Sequence, residues 1–157
     1  MKPMILSIAL LLAPAAHALD ATCELYLAAA EKSAKQPARH AVTDGGGMRS
    51  EAVVLDGKFY VQAGGKWRLM KVDFTAIELK LVNDVRAGKI PISDCKVLGS
   101  ESIEGAPMSV VSYTMKMQGL PAASAKAYIG KDGLVYAQSS EDSKIRYRYT
   151  GVQAPAL

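Results

Sequence analysis

Histidine, cysteine and the large aromatics are scarce in this chain of 157 residues: two His, two Cys, two Phe and one Trp. One histidine, His17, falls in an N-terminal stretch read below as a leader, so His40 stands alone beyond it. A zinc site built on several histidines is therefore unavailable, and a Ser-His-Asp triad would have to use His40. No CxxC is present. Gly45-Gly46-Gly47 runs into Met48-Arg49 rather than Lys-Ser/Thr, which makes it a hairpin loop and not a phosphate cradle. The carboxylate pairs Glu101/Glu104 and Glu141/Asp142 fall at a strand end and in a turn, where a glycosidase pair facing across a cleft is not expected. No enzyme, cofactor or metal is expected from this inventory. A net charge of +4 is too small to name a partner by itself.

The apolar fraction of 50% is unevenly spread. Met1 to Ala18 has Lys2 at its start, an apolar stretch from Met4 to Ala13, Pro14, and Ala16-His17-Ala18 as a small-x-small site. This reads as a cleaved secretory signal. Its apolar run is about half the ~20 residues of a spanning helix. The expected organisation is a signal at 1–18 and one α+β domain over 19–157, periplasmic or secreted and not membrane-spanning. In that compartment Cys23 and Cys95 are expected to form one disulfide.

Asp20 to Gln36 favours helix, with Asp20 or Thr22 as cap and Pro37 as stop. Leu25, Ala28 and Ala29 suggest its apolar stripe. Four short strands follow, punctuated by Gly45-Gly46-Gly47, Asp56-Gly57 and Gly64-Gly65. Phe59 and Val61, and then Trp67 and Leu69, alternate with polar residues. Asp73 caps a second helix over Phe74 to Ala87, with Phe74, Ile77, Leu81 and Val85 on one side. Five more strands complete the chain. Val111, Tyr113, Met115 and Met117 share a face of one. Lys144, Arg146 and Arg148 alternate with Ile145, Tyr147 and Tyr149 in the last. Such alternation implies an antiparallel sheet with one solvated face and one face on the helices.

Asp56-Gly57-Lys58-Phe59-Tyr60-Val61, then Gly65-Lys66-Trp67, and Ala127-Tyr128-Ile129 running into Asp132-Gly133-Leu134 together resemble the outer-membrane lipoprotein carrier (LolA-like) superfamily. The resemblance implies a strongly curved antiparallel half-barrel of about 8–9 strands, with two helices on its concave side. A cystatin-like or nuclear-transport-factor-like α+β cone is the alternative architecture.

Two surfaces are candidates for function. The methionines and aromatics suit a variable apolar ligand, because Met is flexible and polarisable. Trp67, Tyr113, Met115 and Met117 are the expected lining for a lipid acyl chain or an apolar peptide, held between sheet and second helix. The second surface is the Lys144/Arg146/Arg148 face, with Lys126 and Lys116 as further members. It would serve an envelope interaction protein with an anionic partner. Nucleic acid is not an expected partner, since no aromatics interleave with these charges on one face.

Overall fold

The computed structural model describes residues 19–157, so the leader lies outside the described residues. Helix α1 covers Ala21–Ala34 and is followed by four strands, β1 Ala38–Gly45, β2 Met48–Leu55, β3 Lys58–Ala63 and β4 Lys66–Met70. Helix α2 covers Phe74–Arg86. Five strands follow: β5 Ile92–Ile103, β6 Ala106–Met115, β7 Ala123–Ile129, β8 Val135–Ser140 and β9 Ser143–Arg148. All nine lie in one antiparallel sheet of order β4-β3-β2-β1-β9-β8-β7-β6-β5, which is curved and not closed.

Each local feature has an identifiable cause. Asp20 caps α1 by accepting from the backbone N–H groups of Thr22 at 2.8 Å and Cys23 at 3.4 Å. Asp73 caps α2 through Ala76 N at 2.9 Å. The β2–β3 loop has φ of 49° at Asp56 and 76° at Gly57, and two successive positive φ values define the hairpin turn that matches strand twist. Each meander is locally paired. α2 then carries the chain from the β4 edge to the β5 edge, and the second meander returns until β9 pairs with β1.

The two helices pack on the concave face. Tyr26 and Leu27 of α1 and Val82 and Val85 of α2 meet Val111, Tyr113, Ala127, Ile129 and Val135 of the sheet. The disulfide Cys23–Cys95, with Cα atoms 5.2 Å apart, ties the first turn of α1 to β5. Arg86 of α2 pairs with Glu24 and Glu31 of α1, closing the outer side of the helix pair.

Three expected faces are corrected. In α1, Leu25 and Ala28 are exposed, and the inward stripe is Cys23, Tyr26, Leu27, Ala30 and Ala34. The disulfide and the cap rotate the helix so that Cys23 faces the sheet. In α2, Ile77 is exposed, and Val82 joins Val85 inside. In β4, Trp67 pairs with Gln62 and Leu69 with Tyr60, whereas Phe59 and Val61 pair with Met70 and Arg68. A two-residue turn pairs odd positions with even ones. Trp67 and Leu69 therefore lie on the convex face, opposite to Phe59 and Val61.

Candidate functional site

The concave face closes around a cavity of about 160 Å³ between α1, α2 and strands β6, β8 and β9. Leu27 and Ala30 of α1 supply apolar walls, with Leu81, Val82 and Val85 of α2 and Met115 of β6. Ala30 and Leu27 reach it because they share the inward stripe of α1. Met115 reaches it because β6 alternates Val111, Tyr113 and Met115 inward. A cavity of this size matches the ~150 Å³ apolar cavities that accept benzene. Broader depressions of about 610, 750 and 590 Å³ are grooves on the outer surface: beside the disulfide, along Ser112/Lys126/Ser139, and around His40/Arg146/Arg148.

A polar network bounds the cavity on the sheet side. Gln138 Nε2 donates to the Tyr26 hydroxyl at 3.1 Å and reaches the Tyr113 hydroxyl at 3.5 Å. Tyr147 donates to Gln138 Oε1 at 3.1 Å. The Tyr26 and Tyr113 rings stack with centroids 4.0 Å apart. Ser33 Oγ accepts from Val135 N at 2.9 Å, and the Tyr149 hydroxyl donates to Val135 O. One amide side chain thus serves three phenols, which keeps their polar ends satisfied away from water.

Burial raises the pKa of Tyr26, Tyr113 and Tyr147, with hydrogen bonds from Tyr113 and Gln138 partly opposing it at Tyr26. Burial likewise pushes Tyr149 up to about 12. The folded state therefore favours the neutral phenols relative to the unfolded chain, where they ionise near 10. That stabilisation is complete below pH ~10 and is lost as the pH climbs through the folded values. Titration followed by phenolate absorbance should show these four tyrosines resisting ionisation above pH ~10 and then ionising together with unfolding. Independent ionisation near pH ~10, with the fold retained, would refute this.

At one end of the cavity a buried ion pair links sheet to helix. Arg39 of β1 is 5% exposed and forks onto Glu78 of α2, through Nη1 to Oε1 at 2.9 Å and through Nη2 to Oε2. The Phe74 ring lies beneath the guanidinium at 5.9 Å and stacks on Phe59 at 4.1 Å. A smaller cavity of about 30 Å³ shares Arg39, Glu78 and Tyr147 with the larger one.

Of the residues singled out from sequence, Met115 lines the cavity, and Tyr113 sits beneath it within the Gln138 network. Trp67 is on the convex face of edge strand β4, and Met117 follows the end of β6; neither lines the cavity. Lys144, Arg146 and Arg148 share the convex face, where register brings Lys126 alongside Lys144 across Ser139. Acidic neighbours accompany them. Arg146 pairs with Asp44 at 3.0 Å, and Asp44 is the register partner of Lys144. Arg148 donates to His40 Nδ1 at 3.2 Å, and His40 Nε2 meets Glu51 at 2.8 Å. Arginine can only donate, so Nδ1 accepts and Nε2–H donates to Glu51, which leaves no ring nitrogen free to take a substrate proton. Among the described residues, no group of three His, Cys, Asp or Glu is placed to hold a metal. Nor is any helix there long and apolar enough to cross a membrane.

The curved sheet with both helices in its concavity has counterparts among solved structures. LprF from Mycobacterium bovis matches with a TM-score of 0.51 at 11% identity, covering 87% of this chain and 94% of that one. The Mycobacterium tuberculosis lipoprotein LppX matches with a TM-score of 0.52 at 12% identity, covering 87% and 96%. The fold is LolA-like. No protein-family model matches the chain, and no curated protein matches it significantly. Within this LolA-like sheet the residues missed from sequence are Tyr26, Arg39, Glu78 and Gln138. Tyr26 was within reach. A cysteine bonded to the sheet side must face inward, and the positions three and four beyond Cys23 are Tyr26 and Leu27. No local signal marks Arg39 with Glu78.

Proposed function

We propose that this is an exported, non-enzymatic binding protein, with residues 1–18 as its cleaved signal and 19–157 as its single working domain. It holds a small apolar group, part of a lipid or of an apolar peptide, between the sheet and the two helices. The observation that carries the reading is the enclosed cavity of about 160 Å³, whose Leu, Val and Met walls end in a polar network. Such a lining, mostly apolar with a few convergent polar groups, is what ligand sites share. The LolA-like fold supports the reading, since its curvature is what makes a concavity available. The volume admits one benzene-sized group. A longer acyl chain enters only if the helices move outward.

Benzene and short-chain ester probes should bind the purified protein saturably, followed by ligand-observed NMR. Protein recovered from its own periplasm should begin at Leu19 and carry a ligand in native mass spectrometry. Ala30→Leu adds side-chain volume at the cavity wall and should abolish probe binding while the fold persists, because Ala30 is only half-buried and can shift outward. Probe binding undiminished by Ala30→Leu, or no binding at all by wild type, would overturn the assignment.

A further inference from the structure

Arg39 holds one donor that no other described residue satisfies. Its Nη1 and Nη2 are both engaged by Glu78, while Nε is buried and meets no acceptor. The residue is 5% exposed and lines the cavity. The other polar groups of the lining are committed among themselves: Gln138 to the tyrosines, Ser33 to Val135 N, Tyr149 to Val135 O. A buried N–H without an acceptor is penalised, and a hydrogen bond from a charged donor is stronger than one between neutral groups.

We propose that the cavity takes an apolar group bearing one neutral acceptor, an ester or amide carbonyl, which Arg39 Nε–H engages while the hydrocarbon packs on Leu27, Val82, Val85 and Met115. This rests on the reading of the cavity as a ligand site. The acceptor is neutral because Glu78 already balances the guanidinium. A free carboxylate would bring a second anion into a low-dielectric site beside Glu78, and like charges there disfavour each other's ionised form. The structure thus selects esterified or amidated acyl groups over free fatty acids.

Three probes of similar size separate the alternatives: methyl butanoate, its isomer pentanoate as the anion, and hexane. Methyl butanoate should bind about tenfold tighter than hexane, and pentanoate should bind weakest, by ligand-observed NMR. The Arg39 Nε–H resonance should move on addition of the ester and stay still with hexane. In Arg39→Met/Glu78→Leu protein, which has neither charge, the affinities for ester and hexane should converge. Equal affinities in wild type, or an Nε–H resonance unmoved by ester, would overturn the choice of head group while leaving the apolar site standing. If none of the three binds, the site itself is refuted, and this inference with it.

Discussion

Replacing Cys23 and Cys95 together by serine is expected to lower the free energy of unfolding by about 4 kcal/mol. The two residues are 72 positions apart, so the link closes a long loop in the unfolded chain. In the chain-entropy description, that constraint removes many conformations that unfolding would otherwise recover. The folded contacts should survive its loss. α1 keeps its Asp20 cap, the Arg86 pairs with Glu24 and Glu31, and its packing on the sheet. β5 stays registered on β6 from Ile92 to Ile103. The expected outcome is a shifted urea midpoint with native-like near-ultraviolet circular dichroism. A loss below about 1 kcal/mol would show that the link constrains the unfolded ensemble far less than its span implies.

The second large effect concerns the pair between β1 and α2. Glu78→Leu leaves the Arg39 guanidinium buried without a counter-ion, and breaking one side of a buried pair costs about 3–5 kcal/mol. Glu78 keeps 27% of its side chain exposed, so water can partly reach the site. That places the expected loss near the lower end, about 3 kcal/mol. Arg39→Met/Glu78→Leu removes both charges, keeps similar volume, and should recover most of the loss, since apolar replacement of a buried pair is often neutral or stabilising. Urea unfolding of the two single variants and the double variant forms the cycle that measures this. Equal destabilisation by the single Glu78→Leu and the double variant would mean that packing, and not the uncompensated charge, dominates.

These two features differ in how far the chain's own letters reveal them. The disulfide followed from two cysteines in a chain that carries an export leader. The ion pair did not, because its partners sit 39 positions apart on elements whose meeting depends on the whole topology. The same division runs through the fold. Asp56-Gly57 and Gly64-Gly65 marked the turns between β2, β3 and β4, because their backbone conformations demand such residues. Asp73 marked the start of α2. The facing of Trp67 was misjudged, because alternation fixes parity within a strand but turn length sets it between strands. The inward side of α1 was misjudged for a different reason. Ala lies on every side of that helix, so composition alone gives it no strong preference for one face. Of the cavity, Met115 and Tyr113 were legible as part of an apolar alternation. Gln138 was not, since its meaning lies in Tyr26, 112 positions earlier.

The place of β9 has a consequence for how the chain is built. It is last in sequence, yet it lies fifth of the nine strands, between β1 and β8. His40 and Arg148 are register partners across that seam, 108 positions apart. Until β9 leaves the ribosome, the two four-stranded halves have no strand to join them. Each then presents a bare edge and half of an apolar floor. Such exposed edges and surfaces invite association with other chains. The final dozen or so residues thus act as a keystone, and assembly of the sheet is a late, long-range step that local hairpin formation cannot hasten.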